Sequence, residues 1–275
     1  MNENDLLLHA YFDGLIGDEE FLLLDFKTDN LYLPYWNYPK FQLNNMSDDE
    51  CISEFRFQKN DIVFLCQTLQ IPFEIKCYNG TVVSGIEALC ICLKRLAYPC
   101  RYLDMIPRFA RPVPELCIIN NHIINFMYER WGFLLTTLQQ PWLSFDNLQI
   151  FADVIHERGA PLTNCWGFID GTVRPICRPG QNQRIVYNGH KRVHALKFQS
   201  VVAPNGLIAN LYGAVEGRRH DSGMLGDSGL LTQLQHHAVG PDNNILCLYG
   251  DPAYPLRPHL LSPYKGANVT PIQRA

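Results

Sequence analysis

Two aspartates share a setting suited to chemistry. Asp170 closes the apolar run Cys165-Trp-Gly-Phe-Ile169 and is followed by Gly171, while Asp251 closes Ile245-Leu-Cys-Leu-Tyr-Gly250 and is followed by Pro252. Each carboxylate is delivered at what reads as the end of a buried strand. Gly171 lets the chain turn, Gly250 removes bulk beside Asp251, and Pro252 holds Asp251 extended. If the two strands are parallel neighbours, both acids reach the same sheet edge, where open α/β folds build their sites. Paired carboxylates repel unless a cation lies between them, and hard oxygen ligands select Mg²⁺ or Mn²⁺. Two such ions about 3.5–4 Å apart would clamp the attacking and leaving oxygens of a phosphodiester. Taken singly, each Asp reads more readily as a turn or a helix cap, and it is the matched pair that points to a metal site.

The surroundings are basic. Nine Lys and Arg lie between Arg158 and Arg219, against only Asp170 and Glu216. Arg174, Arg178, Arg184, Lys191, Arg192, Arg218 and Arg219 are the candidate phosphate contacts, although a solvated basic face is the plainer account of such residues. The formal net charge of −4 conceals this split: residues 1–50 carry 11 acids against 2 bases, and the remainder 16 acids against 21 bases.

Other chemistries find less support. His190-x₃-His194 has zinc-site spacing but no CxxC partner, and alternating strand positions explain it. No G-x-S-x-G elbow surrounds Ser222, Ser228 or Ser262, and no P-loop exists. The ten cysteines include no CxxC pair and several lie in apolar runs, so they read as buried free thiols in a reducing compartment. Met1-Asn-Glu-Asn-Asp5 has no secretory character, and no uncharged run reaches the roughly 18 residues of a membrane span. A soluble intracellular protein without membrane association is expected.

The positioning elements change character along the chain. Residues 1–50 read as an acidic arm. Residues 51–140 read as a helical, helix-turn-helix-like domain. A first apolar face there is Phe57, Ile62, Phe64, Leu65 and Leu69. Ser84-x-x-Glu87 has capping-box spacing and opens a helix that stops at Tyr98-Pro99. Arg101–Phe109 forms a short segment, and a longer helix follows the break at Arg111-Pro-Val-Pro114. In the helix-turn-helix reading, Asn120, Asn121 and His122 would reach bases, and Arg101, Arg108 and Arg111 phosphates. A structural bundle explains the same pattern. After a linker with a short helix, residues 160–275 turn to β: Cys165–Asp170, Arg184–Ala203, Leu207–Val215 and Ile245–Tyr249, with a helix from His220 to Leu231 before the last strand. The fold class is therefore α+β, a helical region followed by a mixed β-sheet domain.

Phe168-Ile-Asp-Gly-Thr172, Glu216-Gly-Arg-Arg-His-Asp-Ser222, Tyr249-Gly-Asp-Pro-Ala-Tyr-Pro-Leu256 and Leu260-Leu-Ser-Pro-Tyr-Lys-Gly-Ala-Asn268 resemble the PIF/Harbinger transposases and the nucleases derived from them. The resemblance is strong over 160–275 and faint over 50–131. It implies an RNase H-like domain with a DDE triad, a divalent cofactor (Mg or Mn), DNA as substrate, a separate DNA-binding partner protein and a nuclear location. It leaves the oligomeric state open. On this match Asp170 and Asp251 are the first two catalytic, metal-binding acids. Asp221, in the His-Asp-Ser motif, is a further candidate ligand that also reads as a helix cap. The family's usual His after Asp-Gly-Thr is replaced by Val173. Its third acid is expected on a helix beyond Asp251, yet residues 252–275 contain no Asp or Glu. The chain thus reads as a truncated member, either a metal-dependent DNA endonuclease or a non-catalytic derivative that binds DNA or protein.

Overall fold

The computed structural model describes residues 3–18, 20–21 and 34–264. The architecture is α+β, divided into two compact units, Met1–Met127 and Tyr128–Ala275.

The first unit contains α1 (Glu3–Phe12), α2 (Asp48–Phe55), α3 (Lys59–Thr68), the antiparallel pair β1 (Glu74–Lys76) and β2 (Val82–Ser84), α4 (Gly85–Ala97), α5 (Tyr102–Phe109) and α6 (Val113–Trp131). A complete capping box opens α2: Ser47 Oγ accepts from the Glu50 amide, and the Glu50 carboxylate accepts from the Ser47 amide. The box expected at Ser84 is only half formed. Ser84 Oγ accepts from the Glu87 amide, but the Glu87 carboxylate instead takes Arg111 Nε at 2.6 Å. A charge-assisted bond to a guanidinium outweighs a second bond to a backbone amide.

The core of this unit gathers Phe55, Ile62, Leu89, Ile91, Phe109 and Leu116, and it also takes in Leu43 and Met46. Packed structure therefore begins before residue 50. The apolar face expected at the start of the helical region is partly wrong: Ile62 is buried, but Phe57 and Phe64 are exposed, and Cys66 one turn on is the second inward residue of α3.

Helices α5 and α6 are joined by Ala110–Pro112, with Ala110 left-handed at φ 50°. Three of the six side chains nominated for nucleic-acid contact here serve packing instead. Asn120 is buried and donates to the Tyr102 hydroxyl, Arg108 pairs with Glu50 and Glu54, and Arg111 binds Glu87 and Glu115.

The second unit contains α7 (Phe145–Glu157), β3 (Cys165–Pro175), α8 (Gln183–Val186), β4 (Tyr187–Asn188), β5 (Val193–Val202), β6 (Ile208–Glu216), α9 (Asp221–Asp227), α10 (Leu230–His237), β7 (Cys247–Gly250) and β8 (Leu260–Leu261). Its strand order is β6–β5–β3–β7–β8, with β4 extending the β6 edge of β5. Neighbours β6, β5 and β3 are antiparallel, whereas β7 and β8 run parallel to β3. This is the arrangement of an RNase H-like sheet. Trp166, Ile169, Val201 and Leu248 pack with Leu148 and Ala152 of α7, Leu225 of α9 and Leu234 of α10 in one core.

Two expectations are corrected by pairing. Asp170 does not end its strand, because β5 stays paired with β3 from Phe168↔Val202 to Pro175↔Ala195. What stops beside Asp170 is the partnership with β7, whose last matched pair is Ile169↔Gly250. The stretch from Arg184 to Ala203 is not continuous strand either. His190 and Arg192 occupy a tight turn, with Arg192 at φ 57°, so they do not share a strand face with His194.

Candidate active site

Asp170 and Asp251 meet because β3 and β7 are parallel neighbours. The register that pairs Ile169 with Gly250 carries the next residue of each chain segment to the same level, and both aspartates are exposed. Asp251 is fixed locally, its Oδ1 accepting from the Ala253 amide at 3.0 Å. Gly250 is required by close approach. A methyl on it would lie 2.8 Å from Ile169 Cγ2 and 2.9 Å from Tyr254 Cδ2, so glycine lets the Tyr254 ring fold back onto the strand.

Tyr254 is buried at 1% exposure, and its hydroxyl has no hydrogen-bond partner among the described residues. Burial, then the carboxylates of Asp221, Asp170 and Asp251, push its phenol well above the usual range.

Asp221 reaches this neighbourhood from α9, and it is not the cap of that helix. His220 holds the N-cap position, and the Asp221 carboxylate turns to Lys197 Nζ at 2.6 Å. Lys197 lies on the inward face of β5, with its side chain 7% exposed, and also donates to the Arg219 carbonyl at 2.9 Å. A charge this buried is stable only when paired and hydrogen-bonded. Gly171 accommodates the arrangement, since a methyl there would lie 2.8 Å from Asp221 Cγ and closer still to its Oδ1.

Among the described residues, no three His, Cys, Asp or Glu side chains form a group able to hold one ion. Asp170 and Asp251 are a two-carboxylate set. That set fits Mg²⁺, which commonly takes one or two carboxylates and completes its shell with water and substrate phosphate. Asp221 is less available, with one oxygen committed to Lys197. Pro271–Ala275, which resembles the opening of the acid-bearing helix expected beyond Asp251, lies outside the described residues.

The basic candidates fall into two groups. Arg174, Lys191 and Arg192 lie toward the β4–β5 turn end of the sheet, with Arg174 four residues along β3 from Asp170, a span of roughly 13 Å. Arg184 and Arg218 come together where the Arg218 amide donates to the Ile185 carbonyl at 3.4 Å. Arg178 is exposed and donates to Gln183, and Arg219 pairs with Asp227. The sequence reading missed Lys197. Its signal was a lysine at an inward position of the alternation Ala195, Lys197, Gln199, Val201.

Residues 169–275 match the family model of the DDE superfamily endonucleases. Over these residues the chain is similar to the DDE superfamily endonucleases. No curated protein and no solved structure matches the chain. The DDE match begins one residue before Asp170 and takes in Lys197, Asp221, Asp251, Tyr254 and every basic candidate, while the helical unit lies outside it. Among the described residues, no helix is long and apolar enough to cross a membrane.

Proposed function

We propose that the chain is a divalent-metal-dependent DNA endonuclease of the PIF/Harbinger type, with Asp170 and Asp251 holding the cation. The observation that carries this reading is the side-by-side exposure of these acids on parallel neighbouring strands, within the stretch that matches the DDE nucleases. Mg²⁺ or Mn²⁺ bound there would neutralise the scissile phosphate and activate water. Water adds to phosphorus, one bridging P–O bond breaks, and the fragments leave as a phosphate monoester and an alcohol. Asp170 and Asp251 supply the anionic oxygens. Arg174, Arg184 and Arg218 lie on exposed segments where they can hold the flanking DNA backbone. A DNA substrate implies action in the nucleus, and the family type implies a separate DNA-binding partner.

The test is nicking of supercoiled plasmid with Mg²⁺ or Mn²⁺, together with calorimetric Mn²⁺ titration of the wild type and Asp170→Asn. Nicking and Mn²⁺ binding that are both lost in the variant support the reading. No nicking and no Asp170-dependent cation binding sink it. Salt-dependent DNA retention that survives Asp251→Asn would leave the non-catalytic, DNA-binding alternative.

A further inference from the structure

The segment Gly217–His220 is tied down from three sides. Lys197 of β5 donates to its Arg219 carbonyl and, just beyond the segment, to the Asp221 carboxylate. Asp221 in turn rests on Gly171, the residue after Asp170. On the third side, a methyl on Gly217 would lie 2.5 Å from the Ala195 carbonyl oxygen, and the Asn188 side chain donates to the Gly217 carbonyl at 2.8 Å. Arg219 is further held by Asp227. Arg218 and His220, by contrast, are exposed, and their side chains have no partner among the described residues.

This immobilisation is costly to build. Lys197 is a buried ammonium, and an apolar residue at its inward β5 position would serve the core at least as well. What the charge holds is a short arginine-bearing turn that runs from the Ala195 level of β5 to Gly171 beside Asp170.

We propose that Lys197 and Asp221 are positioning residues, clamping the Gly217–His220 turn so that His220 stands near Asp170 and Arg218, farther along the sheet, meets the flanking DNA backbone. This rests on the reading of DNA as the substrate. It assigns Asp221 a task other than metal ligation. Lys197 and Asp221 act through the turn and touch neither the cation nor the scissile phosphate.

The experiment uses the full-length chain and a fluorescein-labelled DNA duplex, with anisotropy measured over a salt series, so it does not depend on cleavage. Arg218→Ala should reduce the slope of log K against log salt by about 0.9, the value of one phosphate contact. Lys197→Met should remove the same increment, and the double variant should lose no more than either single change. Asp221→Asn is the milder second variant should Lys197→Met fold poorly. It should lower the slope likewise and bind Mn²⁺ within about twofold of wild type. Lys197→Arg, which keeps the charge, should recover part of the slope. Losses from Arg218→Ala and Lys197→Met that simply add, with duplex binding otherwise intact, overturn the clamp alone. Loss of Mn²⁺ binding in Asp221→Asn also overturns it, by making Asp221 a ligand. A wild-type chain with no salt-dependent duplex binding overturns the DNA reading and the clamp together.

Discussion

Adding one methyl group at Gly171 tests whether the Asp221–Lys197 pair is as tightly built as its geometry requires. In Gly171→Ala the new carbon would lie 2.8 Å from Asp221 Cγ, well inside ordinary contact. The carboxylate must retreat by more than half an ångström, and the 2.6 Å bond to Lys197 cannot survive that displacement unchanged. Breaking a buried pair costs about 3–5 kcal/mol when one charge is stranded. Here Lys197 keeps its bond to the Arg219 carbonyl, and the Asp221 side chain is 21% exposed, so water recovers part of the loss. A cost of about 2 kcal/mol results, or about 4–8 °C in Tm for a unit of this size.

The assay is urea unfolding of Gly171→Ala, Asp221→Ala and the double variant, followed by tryptophan fluorescence. Asp221→Ala alone is destabilising because it strands Lys197. In its background the methyl meets no carboxylate, and adding it should be neutral or gain a few tenths of a kcal/mol from replacing a strand glycine. The reasoning is refuted if Gly171→Ala is as stable as wild type, or if it costs the same with and without the Asp221 carboxylate.

Tyr254→Phe removes a buried hydroxyl that has no partner among the described residues, so unfolding in EDTA should show stability unchanged or raised by up to about 1 kcal/mol; a loss of more than that would reveal a partner. Burial raises the thiols of Cys51, Cys66, Cys77 and Cys90, and that of Cys92 from 9.0 to about 11. Below the ordinary thiol range both states are protonated and nothing changes. Above it the unfolded chain ionises first, so stability should fall from about pH 9 to pH 11, by at most about 1.4 kcal/mol per pH unit for each thiol. Urea midpoints that stay level across that range would contradict this. In the native protein a thiol reagent should modify exposed Cys177 far faster than the eight buried cysteines, and comparable rates at the buried positions would count against their burial.

Much of the sheet unit was legible because local chemistry and tertiary structure agree there. Apolar runs ending in Asp170 and Asp251, glycines beside both acids and the family motifs marked the two strands that adjoin. Strand limits were not legible. Asp170 stands within β3 rather than at its end, since extended pairing with β5 overrides the turn tendency of Gly171. The stretch around His190 reads as strand by alternation, yet it folds as a turn because Asn188 and Arg192 close a hairpin between β4 and β5.

In the helical unit the sequence set out the helices in order, because 3.6-residue periodicity and cap residues are local properties. It did not determine partners. Glu87 was free by spacing to complete a capping box, and only the fold brought Arg111, 24 residues away, to claim it. Asn120 looked able to read a base, and only packing placed it against Tyr102. At the candidate site the sequence determined which carboxylates exist and which two could share a sheet edge. That Asp221 belongs to Lys197 was decided by the register of β3 and β5 and by the empty space over Gly171, neither of which is written in any local run of residues.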